Sequence, residues 1–426
     1  MKKTLVAGIS ALAMVASLIV AGLPAAQAAL NIPKSAWPTC SLTRTTYCVE
    51  SVSVTPAGGS AIALTWLADG QSFPAADTST VSTGNTDSST VTDSSTVVTP
   101  VITIPTLATG RAVAGRWTSA DWTAQGLDSL GYGGLYVEAK TANEFVNHLF
   151  INVIPTLADS ANKVKVATQI DNNKYAANLD SDLTISVVVK TGEIKAGVLV
   201  GVGSNFTGDY STANSQSTIR FAGSPVNVPL AAKSSDCSGE TGVAVASVRQ
   251  LQAMLFINNE GQSAFGVDGM TGDMVVSSNG VCDLGTPVWN AQDKEFSWTA
   301  AAPHFAPDGT TLNYGFYRAS IPVADAKLLW GLENAADAVK ALQVEIITAG
   351  TVTNVASTTI GINSGKIIID VSGFQYSRPK MKVSLKKNWK PATTMLNKRT
   401  ITCKLGMTVK KITAVKPVCP KGYKKD

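Results

Sequence analysis

Along much of this 426-residue chain the apolar positions recur at every second residue, in short runs broken by Gly, Asn, Asp and Pro. A period of two predicts β-strands with one face buried and one face polar. Residues 47–54 alternate in this way, Pro56-Ala57-Gly58-Gly59 signals a turn, and 61–67 reads as a second strand. Two strands alone are marginal in water, so this hairpin is expected to pack on the domain that follows. Residues 101–107, 134–139, 145–154 and 163–170 are further strands. Residues 183–189 and 193–202 read as another hairpin, turned at Lys190-Thr191-Gly192. Strands continue at 217–221, 226–230, 243–248, 253–257, 274–278, 295–300 and 312–320, and again at 343–347, 351–358 and 366–371. One helical interruption is expected, helix-like at 323–332 after Pro322 and Ala-rich at 334–342 with Asn334 as N-cap. With no β-α-β alternation, the fold class is mainly β. The body is an antiparallel β-sandwich, either one large sandwich or two in tandem, with one short helical segment and a small C-terminal β-hairpin module.

The organisation follows from what interrupts the strands. Lys2-Lys3, an apolar stretch over 4–23, Pro24 and the A-x-A site Ala26-Gln27-Ala28 have the order of a signal peptide over 1–28; the rival is an uncleaved N-terminal anchor. The N-terminal hairpin occupies 29–76. Residues 77–100 are low in complexity, Thr86-Asp87-Ser88-Ser89-Thr90-Val91 repeating at once as Thr92-Asp93-Ser94-Ser95-Thr96-Val97. That segment cannot bury enough apolar surface to offset its ordering entropy, and reads as a disordered loop or linker. The body runs over 101–377 and a basic module over 378–426.

Charge separates the last two. Residues 378–426 hold 15 Lys/Arg and a single acid, Asp426, a net +14, whereas 30–377 sums to −11. An acidic body on a basic tail implies a separate task for the tail, most simply adhesion to an anionic surface. Lys404, Lys410, Lys411, Lys416, Lys421, Lys424 and Lys425 would fan out from a hairpin built on the alternating residues 399–404 and 407–413. The expected partner is an anionic cell-wall polymer or membrane headgroups. Nucleic acid is not expected, because the tail has no recognised DNA- or RNA-binding motif.

Six cysteines, Cys40, Cys48, Cys237, Cys282, Cys403 and Cys419, allow 15 pairings. Their near, middle and tail grouping suggests Cys40–Cys48, Cys237–Cys282 and Cys403–Cys419, in keeping with an oxidising exterior. No C-x-x-C occurs, and the two histidines, His148 and His304, stand apart from the cysteines, which argues against zinc.

No nucleophile elbow, P-loop, dinucleotide fingerprint or metalloprotease motif occurs. His148 sits in an alternating stretch and His304 between Pro303 and Phe305, neither in a recognisable triad. Asp171, Asp180 and Asp182, and Asp268 with Asp273, are turn residues first and calcium ligands second, so no cofactor is expected and calcium is the one ion these loops would suit. Trp117 and Trp122 could form a sugar platform if exposed, which makes a glycan a secondary partner. The expectation is a secreted or cell-surface protein that is not an enzyme. A carbohydrate-binding module is the first alternative, and a glycoside or ester hydrolase working through dispersed acids is the second.

The stretch Ile401-Thr402-Cys403, followed by Val415-Lys416-Pro417-Val418-Cys419-Pro420-Lys421-Gly422-Tyr423-Lys424-Lys425, resembles a short C-terminal module found on many exported actinobacterial proteins with varied bodies. Cys40 with Tyr47-Cys48-Val49-Glu50-Ser51-Val52 is similar to the start of uncharacterised secreted actinobacterial proteins. The resemblance implies an exported protein whose tail is shared and whose body varies. It brings no catalytic residue.

Overall fold

Four β-sheets organise the described residues, and the largest lies between two others. The computed structural model describes residues 32–426 except 74–109, 121, 123–132, 142–147, 168–178, 181, 195, 238, 258–266, 268, 281, 283, 285, 349–350, 354–356, 377–378, 390–398, 407 and 415–416. The repeat-bearing segment 77–100 therefore lies outside the described residues, as does the stretch 1–28 expected to be a signal peptide.

The central sheet has ten strands in the order Ser357–Asn363, Lys366–Gln375, Tyr314–Pro322, Val275–Ser278, Ala196–Val202, Ala246–Ile257, His148–Ala158, Gly134–Thr141, Gly115–Thr118 and Thr65–Ala68. Val226–Leu230 and Val164–Val166 extend it from the side. A five-stranded sheet, ordered Ser204–Ala213, Gln216–Ser224, Leu183–Gly192, Cys48–Pro56 and Ile62–Ala63, covers one face. The close approach needs a glycine: a Cβ at Gly208 would lie 2.4 Å from Cδ2 of Leu199. A second five-stranded sheet covers the other face, in the order Val288–Asn290, Glu295–Thr299, Lys380–Leu385, Leu342–Thr348 and Thr351–Thr353. Trp298 from this sheet packs on Tyr317 of the central one, ring centroids 5.3 Å apart. Val198, Val200 and Val276 of the central sheet join the same core as Phe296, Trp298, Met381 and Val383. The body is thus a pair of sandwiches sharing their middle layer, and among the described strands the pairings are antiparallel except that Val275–Ser278 runs parallel to Ala196–Val202; two isolated bridges, Thr39 with Val49 and Val243 with Phe305, are also parallel.

The helical interruption consists of two short helices. Val323–Trp330 follows Pro322 and stops at Gly331, whose φ of 71° is the left-handed conformation that glycine adopts without strain; its N–H caps the Lys327 carbonyl. Ala335–Ala341 begins at Asn334, whose Oδ1 accepts from the Asp337 N–H at 3.1 Å, the expected N-cap.

Three expectations need correction. The second N-terminal strand is split at buried Leu64: Ile62–Ala63 pairs with Cys48–Pro56, and Thr65–Ala68 crosses to the central sheet to pair with Gly115–Thr118. The hairpin expected over 183–202 does not form. Leu183–Gly192 pairs with Cys48–Pro56 and Gln216–Ser224, and Ala196–Val202 pairs with Ala246–Ile257 and Val275–Ser278, so the chain changes layers between them. The basic run from Arg378 is also divided. Lys380–Leu385 is the middle strand of the second outer sheet, with Met381 and Val383 fully buried and Lys382 paired to Glu295 at 2.6 Å. A charge count sees the lysines of that strand and not its alternate apolar face.

All three disulfides of the expected pairing are present: Cys40–Cys48, Cys237–Cys282 and Cys403–Cys419.

Candidate functional site

The C-terminal sheet is built from Arg399–Leu405, flanked by Thr408–Ala414 on one side and by Lys424–Lys425 on the other. It is therefore three-stranded, where the sequence predicts a two-stranded hairpin. Gly406, at φ 59°, turns the first strand into the second. The bridge from Cys403 to Cys419 returns the chain across the sheet, and Cys403 is fully buried beneath it. The Tyr423 N–H donates to the Pro420 carbonyl at 2.9 Å, a turn that delivers Lys424 and Lys425 to the sheet edge.

Register assigns each lysine to a face, because residues directly opposed across neighbouring strands point the same way. Lys404 stands opposite Val409 on one side and Lys424 on the other, and Lys411 stands opposite Thr402. Lys404, Lys411 and Lys424 therefore share one face. Cys403 stands opposite Lys410 and Lys425, which share the other. All five are exposed, and so is Lys421 in the turn; Lys416 lies outside the described residues. The directly opposed pair Lys404 and Lys424 repel one another, and Asp426 offsets this with an Oδ2 2.8 Å from the Lys404 ammonium. On the other face the Lys410 ammonium lies over the Tyr423 ring, 5.2 Å from its centroid. Neither partner follows from local pattern, since the third strand that brings them is only two residues long.

The other candidate residues are placed differently. Trp117 and Trp122 are each 5% exposed, and Trp117 meets Trp66 edge-on at 5.7 Å. Neither offers a face to a sugar ring, because each aromatic surface is used in the core, which corrects the platform reading. His148 is half-buried beside Phe150, and burial holds its pKa below the usual imidazole value. His304 is buried, with Nδ1 hydrogen-bonded to the Tyr376 carbonyl and the ring edge-on to Phe305. The Asp182 N–H donates to Asp180 Oδ1 at 3.1 Å, and Asp273 accepts from the Tyr210 N–H at 3.2 Å, the turn and loop uses of short acids. Asp171 and Asp268 lie outside the described residues. Among the described residues no three His, Cys, Asp or Glu side chains come together as a metal-holding group. Among them, too, no helix is long and apolar enough to cross a membrane.

Fold and site together define a mainly β, disulfide-bonded protein that ends in a cystine-clasped, lysine-rich sheet. No protein-family model, curated protein or solved structure matches the chain.

Proposed function

We propose that the chain is exported behind a leader over residues 1–28 and held at the cell surface by its C-terminal sheet, which adheres to anionic envelope components while the β-rich body is displayed. The reading is non-catalytic. It rests on one observation above the rest: six exposed lysines gathered on a small cystine-clasped sheet with Asp426 as their one acidic neighbour in the tail. Three disulfides suggest an oxidising exterior and agree with export, as does the resemblance of both termini to secreted actinobacterial proteins. Attachment through lysines is long-ranged but salt-screened, with about 1 kcal/mol per lysine near an anionic surface. The test is fractionation of producing cells. The full chain should stay with the envelope at low salt and wash off at about 1 M salt, where the Debye length is about 3 Å. A chain lacking residues 399–426 should appear in the medium. The deletion must start there, because one from 378 would also remove the central Lys380–Leu385 strand of the body. Full retention of the shortened chain would refute the tail's role.

A further inference from the structure

Each strand of the C-terminal hairpin carries an exposed aliphatic side chain at its turn end. Leu405 closes the first strand at 50% exposure, and Val409, next to the start of the second, is 52% exposed. Leu405 lies on the face of Cys403 and Val409 on the face of Lys404, so the tip is apolar on both sides. The lysines follow at once. Lys404 and Lys424 are level with Val409, Lys410 and Lys425 stand one residue further back, and Lys411 one further still. At roughly 3.3 Å per residue, the backbone positions of five lysines from both faces lie within about 10 Å of the tip. Tyr423, a ring with a polar end, sits beneath Lys410 at the same depth. Val418, beside the bridging Cys419, is 77% exposed.

A flexible polyanion lying on the sheet would meet one face, either Lys404, Lys411 and Lys424 or Lys410 and Lys425, and would leave Leu405 and Val409 in water. A flat surface approached end-on meets both lysine sets at once. If its outermost layer is soft and partly apolar, it also takes up the tip. Lysine stems are long enough to lie along such a tip and carry their charges back to the phosphate level. Amphipathic elements that rest on bilayers bury their apolar side by only roughly 5–10 Å, so a short apolar tip can engage such a surface. We infer that the C-terminal sheet is an end-on lipid anchor, with Leu405 and Val409 entering the headgroup region of an anionic bilayer and Lys404, Lys410, Lys411, Lys424 and Lys425 forming a cationic collar on its phosphates. The inference rests on the proposed adhesive role of the tail and names its partner as a phospholipid surface.

The experiment is flotation of the full, oxidised chain with phosphatidylcholine vesicles and with vesicles containing phosphatidylglycerol, beside retention on soluble polyphosphate immobilised on beads. The chain should float with the anionic vesicles only. The neutral double variant Leu405→Ser/Val409→Ser should bind them at least about tenfold more weakly, the effect of losing roughly one buried aliphatic side chain, and should keep its retention on polyphosphate because no lysine charge is offset. Lys410→Glu should weaken both by about fivefold or more. Both aliphatic positions are exposed, so an intact Cys403–Cys419 bridge in non-reducing mass analysis will show that the double variant has folded. Independently, Leu405→Trp should be quenched by brominated lipid beyond the wild-type signal. Vesicle binding indifferent to Leu405 and Val409, or polyphosphate retention without flotation, would overturn the lipid anchor and leave the adhesive tail standing. Failure to bind either would overturn both.

Discussion

The Lys404 ammonium is held 2.8 Å from the Asp426 carboxylate, and Asp426 is the one acid in the sequence after Asp370. The pair is about half exposed, so its own contribution to stability is on the order of 0.2–1 kcal/mol. Its larger effect is on Lys404, whose charge it offsets opposite Lys424. Asp426→Asn should therefore free one lysine for an external anion. The variant should elute from a phosphate-bearing matrix at higher salt, with affinity about two- to fivefold greater at low salt. Glu333→Gln, which removes a still more exposed acid paired with Lys327, controls for net charge alone and should change elution little. Weaker binding by Asp426→Asn would mean that the carboxylate holds the sheet in its binding shape.

The Cys403–Cys419 bridge closes a loop with a sequence separation of 16, for which chain-entropy reasoning gives about 3 kcal/mol. So small a sheet has few other sources of stability. Replacing both cysteines by alanine should unfold the sheet without touching the body. Amide exchange at the directly opposed Ile401 and Ile412 should lose protection, while the body's denaturant midpoint stays within error. A matching loss in the body would show that the two fold as one cooperative unit.

Legibility in the sequence followed layer position. Strands with one wet face, such as Leu183–Gly192 of an outer sheet, alternate in burial and are readable from the period of two. Where the middle layer is covered from both sides the alternation is lost: Val275–Ser278 is buried at all four positions. The neighbours of such strands then go unrecognised, so 183–202 reads as a hairpin when the chain is in fact changing sheets. In the site, the lysines and the cysteine pair were visible as composition and spacing. The partners that tune them, Asp426 and Tyr423, arrive through the Lys424–Lys425 strand, whose two residues have no period. Trp117 and Trp122 could not be told apart from surface aromatics, since their burial depends on Trp66 and other residues distant in sequence.

Tyr317 joins the central sheet to an outer one. Its ring packs on Trp298, and its hydroxyl accepts from the Ala300 N–H at 3.0 Å and lies 2.7 Å from each of the Ala300 and Pro379 carbonyl oxygens. Burial pushes the phenol's pKa well above its ordinary value, so the group stays neutral and keeps its proton for donation. Tyr317→Phe keeps the packing and strands the Ala300 N–H in the core. The expected cost is about 1–3 kcal/mol, read as a lower urea midpoint at unchanged slope. A change under ~0.5 kcal/mol would mean that water enters to replace the hydroxyl.

Asp325, in the first turn of Val323–Trp330, is fully buried, and its carboxylate accepts from the Thr271 N–H at 2.7 Å and the Thr271 hydroxyl at 2.8 Å. Burial raises its pKa; the two Thr271 bonds oppose that, nearby Asp273 adds to it, and Lys366 pulls it back, leaving a net rise above 3.8. A folded pKa above the unfolded one means that the folded chain binds the proton more tightly. Asp325 therefore favours folding most below the ordinary carboxyl value, and that advantage is lost as pH climbs from 3.8 through the raised folded value, beyond which it is flat. Asp325→Asn cannot titrate and keeps one acceptor for Thr271. Subtracting its stability from that of the wild type cancels every other titrating group, so the difference should favour the wild type most near pH 3.5 and shrink by neutral pH. Urea melts of both proteins at the two pH values measure it directly, and a difference that grew toward neutrality would mean that the ionised carboxylate is the form the Thr271 pocket prefers.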